Sequence, residues 1–264
     1  MLEGRPRTLR GNFRHTLDLL ISLTASDLRS RYGRGPFLVV RWLAEPFALV
    51  GVYLVLIAVV LKRPGYAPGL SLACAIVPFQ LIMLAVTNAM TAVNIRRPII
   101  TNMRFRRTLI PVSCVMTESC AFVASFGVII LMMAVYGVAP TPSLLWLPLV
   151  IGVTLAFATA LAYPASLFGL WFWELRPFLV SIVRIMFFIG PGLVPLSQTS
   201  ERTREYLRLN PLTGIFESFR SVFLYGRHPE PWLLLYPLGL ALLLLALFVP
   251  LYRRDQREFA KVVQ

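Results

Sequence analysis

The feature that most constrains this chain is a set of three long segments without a charged residue, Pro64–Ile95, Ser119–Trp173 and Pro231–Tyr252. A predominantly apolar run of about 18 residues or more is long enough to cross the hydrocarbon core of a bilayer as a helix. Charged residues make up only 14% of the 264 residues, against about 25% in soluble domains. The chain lacks the residues for a water-facing surface, so the sequence predicts an all-α integral membrane protein.

The apolar runs divide into six predicted transmembrane helices, and no repeat or composition shift marks a second domain. A single domain therefore covers residues 1-264. The predicted transmembrane helices are 39-61, 70-93, 108-136, 144-173, 177-196 and 231-252. The remaining segments are an amphipathic helix at 10-32, a loop at 96-107, a loop at 197-230 that contains a short helix at 211-225, and a tail at 253-264.

The distribution of basic residues predicts the orientation of these helices. Only Lys62 and Lys261 of the 26 basic residues are lysines. With the N-terminus inside, 18 of the 26 lie on the cytoplasmic side and 7 on the outer side, while Arg184 falls within the fifth helix. Positive charge accumulates on the cytoplasmic side, where it also contacts anionic headgroups. We therefore expect both termini in the cytoplasm, contact with membrane lipids and no nucleic-acid partner.

The segment LNPLTGIFESFRSVFLYG at 209-226 predicts a helix that does not cross the membrane. Asn210 suits the N-cap, Pro211 the first helical position and Gly226 the stop. A helix over 211-225 spans roughly 22 Å, which is short of the ~30 Å hydrocarbon core. If the segment did cross, the split of basic residues would fall to 15 inside against 9 outside. It is therefore expected in the outer loop.

This short helix has two distinct faces. Phe216 and Phe219 belong to an apolar face, whereas Glu217 and Arg220 lie three residues apart on the other face and are spaced to pair. Two interpretations remain open. The helix either rests passively in the outer interface, or it is a re-entrant helix that covers the outer mouth of a path through the membrane.

Two further segments are rich in arginine on the predicted cytoplasmic side. FRHTLDLLISLTASDLRSRY at 13-32 is an amphipathic pattern, typical of a helix on the membrane surface or of a docking face for a partner. NIRRPIITNMRFRRTLIP at 94-111 carries five arginines and no acid. It either sets topology alone or forms a short helix that fits a groove in another protein.

Few charged groups lie inside the predicted transmembrane helices. Glu118 in the third and Arg184 in the fifth either pair with each other or each face a polar path. Aromatic residues crowd LFGLWFWELRP at 167-177. Trp171 and Trp173 there are typical of an interface belt, and the alternative is an aromatic lining on which sugar rings stack.

Several classes of function are excluded by what the sequence lacks. No G-x-x-x-x-G-K-[ST] motif occurs, because neither lysine follows a glycine. His15 and His228 are the only histidines, and no carboxylates are paired in a catalytic arrangement. A secondary transporter usually carries inverted repeats and more intramembrane polar groups than this chain has, so that class is less favoured but stays open. We expect no catalysis by the chain alone, no metal and no cofactor of its own.

Three regions taken in order resemble a known family. SDLRSRYGRGPFLVVRWLAEPF at 26-47, NIRRPIITNMRFRRTLIPVS at 94-113 and LNPLTGIFESFRSVFLYG at 209-226 are similar to the signature regions of ABC-2-type transporter permeases. The closest subgroup is the permeases that export O-antigen, teichoic acid, galactan or capsule polysaccharide. The resemblance covers nearly the whole chain.

The resemblance implies partners that the sequence alone does not. Two copies of the permease pair with two ATPase subunits, which bind ATP and Mg²⁺, and the complex moves a lipid-linked polysaccharide across the cytoplasmic membrane. In that scheme 10-32 is an interface helix and 96-107 contains the coupling helix. The residues expected to contact the ATPase are Arg96, Arg97, Arg104, Arg106, Arg29, Arg31 and Tyr32.

The same resemblance assigns roles on the outer side and in the channel. The gate helix is expected at 211-225, with Asn210, Pro211, Phe216, Glu217, Phe219 and Arg220. Candidate channel-lining residues are Tyr53, Glu118, Phe168, Trp171, Phe172 and Arg184. Two alternatives to polysaccharide export stay open, an ABC-2 exporter of drugs or small lipids and an ATPase-independent secondary transporter.

Overall fold

The computed structural model describes residues 9–32, 37–55, 66–96 and 107–255, and these ranges are helical without a β-strand. The α-helices, numbered in chain order, are α1 Leu9–Tyr32, α2 Phe37–Val55, α3 Pro68–Ile95, α4 Leu109–Tyr136, α5 Leu147–Trp171, α6 Arg176–Ile189, α7 Glu201–Arg208, α8 Pro211–Phe223 and α9 Pro231–Asp255. Short 3₁₀ helices at Pro142–Trp146, Trp173–Leu175 and Leu196–Gln198 join some of them. The prediction of an all-α protein is confirmed for the described ranges.

Four helices in these ranges are long and apolar enough to cross a membrane: α3, α4, α5 with the preceding 3₁₀ helix, and α9. They correspond to the predicted helices 70-93, 108-136, 144-173 and 231-252. The chain is thus a multi-pass membrane protein. Its helices are not equivalent, because the most apolar window of α3 is 83% buried inside the protein while those of the other three are 22–33% buried.

α3 is the central helix of the fold. It packs against α2, α4, α5, α6 and α8, and it contributes the largest share of the buried apolar residues. Small side chains let its neighbours come close, as in membrane helices generally. The helices α4 and α5 pack against it, and α9 packs against α5 and α8. These three helices expose apolar residues such as Ile130, Leu149 and Leu243 outward, which suits contact with lipid.

Two of the six predicted transmembrane helices are not among the four. The first, 39-61, corresponds to α2, and its residues after Val55 lie outside the described ranges. The fifth, 177-196, is shorter than predicted. α6 has 14 residues, or about 21 Å of helix, and ends at Ile189 rather than at residue 196.

The early end of α6 has a local cause in the sequence Gly190-Pro191-Gly192. A residue before proline is disfavoured in the α region, and Gly190 has an extended backbone with φ −75° and ψ 175°. The chain after Ile189 therefore leaves the helix and turns towards α7. The apolar pattern that predicted a longer helix continues through these residues, but the backbone does not.

Helices α3 and α5 approach each other so closely that a side chain does not fit at Gly169. A Cβ atom at this position would overlap the backbone oxygen of Met90 and lie 2.6 Å from its Cα. Because these are backbone atoms, no rotamer change relieves the overlap. Gly152, on the same helix, has nothing within 4 Å of the point that a Cβ atom would occupy, so the two glycines differ in packing and not in secondary structure.

We expect Gly169→Ala to destabilise the protein by about 1–3 kcal/mol, because the α3–α5 contact must open to admit the methyl group. Gly152→Ala should be neutral or stabilising by up to about 1 kcal/mol, since alanine is the better helix former. Thermal unfolding of the full-length chain in detergent measures both. Equal midpoints for the two variants would contradict the close packing at Gly169.

Candidate functional site

The helix α8 forms as its sequence predicts. Asn210 caps it, with Oδ1 accepting a hydrogen bond from the backbone N–H of Leu212 at 3.0 Å, and Pro211 occupies the first helical position. The same Asn210 side chain donates from Nδ2 to the backbone oxygen of Met186 in α6 at 2.7 Å. The helix ends at Phe223, two residues before the predicted end. One residue thus both starts α8 and attaches it to the end of α6.

α8 is enclosed by protein on all sides. Every residue from Pro211 to Arg220 is buried, including Glu217 and Arg220 on the face opposite the predicted apolar one. The helix packs against α3, α5, α9 and the 3₁₀ helix Pro142–Trp146. Burial all round argues against a helix that rests on the bilayer surface with one face in lipid or water.

Arg220 lies at the centre of a buried polar cluster, which we call the Arg220 network. Its side chain has 0% exposure and donates to four oxygens. Nη1 bonds Glu217 Oε1 at 2.8 Å and the backbone oxygen of Pro191 at 2.5 Å, Nη2 bonds that of Gly192 at 2.9 Å, and Nε bonds that of Ser71 at 3.2 Å. The pairing with Glu217 predicted from their spacing is confirmed, but on a buried face.

Glu217 extends this network to the segment after α6. Its Oε1 also accepts a hydrogen bond from the backbone N–H of Leu196 at 3.1 Å. Arg220 and Glu217 together therefore tie three parts of the chain to α8: the start of α3, the Pro191–Gly192 turn and the 3₁₀ helix at Leu196. A charged pair in the interior is tolerable only when its remaining hydrogen-bonding groups are satisfied, and these backbone groups do that.

The phenylalanines of α8 connect it to other helices. Phe219 has its ring centroid 6.2 Å from those of Phe122 and Phe126 in α4, and Phe216 is 5.7 Å from Phe187 in α6. Phe216 and Phe219 are both fully buried. The predicted apolar face of the helix is therefore its contact with α4 and α6.

Arg96 forms a second buried cluster, the Arg96 network, at the other end of α3. Its Nη1 donates to the backbone oxygen of Ile110 at 3.2 Å and to Ser113 Oγ at 2.7 Å, both in α4. Its Nη2 forms an ion pair with Asp27 of α1. Arg96 is only 4% exposed, so its described contacts are internal and any part in coupling runs through α1 and α4.

Among the other residues predicted to contact an ATPase, Arg29 is the one whose side chain belongs to the described part of the chain. Arg29 is exposed on α1. Arg31 and Tyr32 are the last two residues of the same helix, and the structure describes their backbone but not their side chains. Arg97, Arg104 and Arg106 fall between the described ranges. Their coupling role stays a prediction. Sequence reasoning missed Asp27 and Ser113 as partners of Arg96, and the signal available was Asp27, one of two acids in an arginine-rich helix.

The two networks mark opposite ends of the central helix. Ser71 in the first turn of α3 accepts from Arg220, and Arg96 follows its last residue. Their separation of 25 positions along the chain corresponds to about 37 Å at 1.5 Å per residue. A largely buried helix therefore connects the two arginine clusters directly.

The candidate channel residues do not form one group. Glu118 is buried in α4 and accepts a hydrogen bond from Asn88 Nδ2 of α3 at 2.5 Å. Arg184 is exposed on α6, in a wide depression of about 640 Å³ that also contains Trp173 and Glu174. These environments differ, so the structure gives no support to their pairing. Asn88 is the partner that sequence reasoning missed.

The aromatic candidates lie in two places. Phe168 and Phe172 are 5.4 Å apart by ring centroid, beside the exposed Trp171. Tyr53 of α2 contacts Phe187 at 6.0 Å. Arg176 lies over the Trp173 ring at 4.2 Å from its centroid, a cation–π contact near the predicted belt. Within the described ranges, no three His, Cys, Asp or Glu side chains are placed to hold a metal ion.

Comparison with known proteins gives relatives over nearly the full length, although no family model matches the chain. A Myxococcus xanthus protein is 28% identical over 248 residues, which cover 93% of this chain and 95% of the relative. A Klebsiella pneumoniae protein is 27% identical over 259 residues, or 97% and 98%. Both are named O-antigen export system permease protein RfbA. The resemblance to ABC-2 permeases is confirmed.

We expect Arg220→Met to destabilise the protein by about 3–5 kcal/mol, because it leaves Glu217 buried without its partner. Glu217→Gln should cost less, since the amide oxygen still accepts from Leu196. The double variant Arg220→Met with Glu217→Met should also cost less than Arg220→Met alone, because no buried charge remains.

Thermal unfolding of the full-length chain in detergent tests this order. Arg202→Met on the exposed surface of α7 is the matched control. The role of the Arg220 network would be refuted if Arg220→Met unfolded at the same temperature as the control.

Proposed function

We propose that this chain, which resembles O-antigen export permeases along nearly its whole length, is the membrane-spanning subunit of an ATP-driven exporter of a lipid-linked polysaccharide. The observation that supports this most is the coverage of the relatives, 93–98% of this chain and 95–98% of theirs. The similarity therefore extends over nearly all the helices of the chain and is not confined to one motif. The proposed location is the cytoplasmic membrane, with both termini in the cytoplasm.

The energy for transport comes, in this proposal, from a partner. The sequence has no P-loop, so ATP and Mg²⁺ are bound by a separate ATPase subunit. Two copies of this chain and two ATPase subunits form the complex. The ATPase contacts the predicted cytoplasmic side through α1 and the 96-107 loop. ATP binding favours one of two conformations, and its differential affinity for them supplies the work.

The geometry supports a route for that work along α3. The Arg96 network attaches α1 and α4 to the predicted cytoplasmic end of α3. The Arg220 network attaches α8 to its other end. A displacement of α1 or of the adjoining loop therefore acts on a helix that contacts α8. In this proposal α8 is the gate helix, and its buried contacts with α3, α4 and α6 hold it closed.

The exporter function is tested by deleting the gene in its native host. We expect polysaccharide to disappear from the cell surface and to accumulate inside, with recovery when the intact chain is restored. Altered drug sensitivity with normal surface polysaccharide would instead support an exporter of drugs or small lipids. A C-terminally tagged chain should co-purify with a P-loop ATPase in equal amounts. Reproducible purification of the folded chain alone would contradict the ABC proposal.

The coupling loop is tested separately by charge reversal. We expect Arg104→Glu and Arg106→Glu each to reduce the co-purified ATPase by roughly tenfold, or about 1.4 kcal/mol of binding free energy, because the reversed charge opposes the proposed contact with the ATPase. Arg202→Glu makes the same charge change on the opposite predicted side and should leave the yield unchanged. Unaltered ATPase yield in both loop variants would overturn the assignment of this loop.

A further inference from the structure

A cavity of about 580 Å³ lies between α7, the end of α8 and the α8–α9 turn. It is at the end of the fold occupied by the Arg220 network, since Glu217 contributes to its wall. Its basic lining residues are Arg204, Arg208, Arg227 and His228. The proposed transport and coupling roles use none of these four residues, so the concentration of positive charge has another cause.

The chain brings the three arginines together from two separate segments. Arg204 and Arg208 are four residues apart on α7 and so share one helical face. An acid stands three residues before each of them, Glu201 and Glu205, but neither acid lines the cavity. Arg227 follows Gly226, whose φ of +61° turns the chain after α8. That left-handed backbone favours glycine, and it places Arg227 at the cavity wall.

The positive charge of the cavity is only partly balanced by acids. Glu217 is already neutralised by its ion pair with Arg220 at 2.8 Å. Glu230 is the other acid that lines the wall, against three arginines. Arg204 Nη2 donates a hydrogen bond to the backbone oxygen of Thr199 at 3.4 Å. Within the described part of the chain, the guanidinium groups of Arg208 and Arg227 form no hydrogen bond or ion pair with other residues. The cavity therefore has both excess positive charge and hydrogen-bond donors available to an anion.

We infer that this cavity binds a phosphate-bearing anion. Guanidinium groups bind phosphate oxygens through paired, charge-assisted hydrogen bonds. The hydroxyl groups of Ser197 and Tyr225 in the wall bond each other at 3.2 Å, which leaves one of them as a neutral donor. The volume is in the range of small-molecule sites, about 300–1,000 Å³. A lipid phosphate headgroup and free phosphate share this chemistry. The inference goes beyond the proposed transport function, and neither depends on the other.

Arg202 offers a matched control on the same helix. It is exposed and does not line the cavity, although it lies two residues from Arg204. Arg202→Gln therefore removes one positive charge from α7 without changing the site. If anions bind only through general attraction to a basic surface, this change weakens binding. If they bind in the cavity, binding is unchanged.

Binding is measured with the purified full-length chain in neutral detergent at physiological salt, using radiolabelled phosphatidic acid as the probe. Unlabelled phosphatidic acid, inorganic phosphate and diacylglycerol are the competitors. We expect saturable binding that is at least about tenfold weaker in Arg204→Gln with Arg208→Gln, and also in Arg227→Gln. Arg202→Gln should bind as the parent chain does. Arg227 lies outside any helix, so its variant reports on the site even where the α7 variant does not fold.

Competition then distinguishes the sources of the phosphate. Displacement by phosphatidic acid alone supports a lipid headgroup site, and equal displacement by inorganic phosphate supports a site for the free ion. The inference is overturned by any of three results: no saturable binding, equal loss in Arg202→Gln, or equal competition by diacylglycerol, which lacks the phosphate. Each readout is independent of ATPase association and of export, so this inference and the proposed function fail separately.

Discussion

The arrangement around α8 depends on the hydrogen bonds that satisfy the buried charge of Arg220. A guanidinium group does not lose its proton in a protein, so it must be satisfied wherever it is buried. Four oxygens from three parts of the chain meet it, and they belong to the start of α3, the turn after α6 and α8 itself. Since an unpaired buried charge costs several kcal/mol, these parts are stable only together.

The central position of α3 gives this local cluster a wider effect. Its first turn contacts Arg220 and its C-terminal cap is Arg96. Between these ends α3 is largely buried by its neighbours. The closest approach is that of α5, whose Gly169 lies against the backbone of Met90 in α3. Packed interiors transmit strain because they have few voids. The proposed route between the two arginine networks therefore runs through a helix that is closely packed along most of its length.

Much of this organisation was predictable from local sequence. Charge-free runs predicted the four long apolar helices, because a helix satisfies every backbone group internally in lipid. The Asn210 cap, Pro211 and the Glu217–Arg220 pair followed from spacing within one helix. Hydropathy failed at the fifth helix, where the apolar pattern runs on past Ile189 but Gly190 before Pro191 leaves the helical conformation.

The sequence by itself determined which segments are helical and apolar, and which charges lie within reach of each other along one helix. Tertiary structure alone decided that the polar face of α8 is buried, that Arg96 pairs with Asp27 at a separation of 69 residues, and that three arginines line one cavity. The physical reason is that helical spacing fixes neighbours only within a few residues. Contacts between distant segments depend on how the helices pack, which no local pattern encodes.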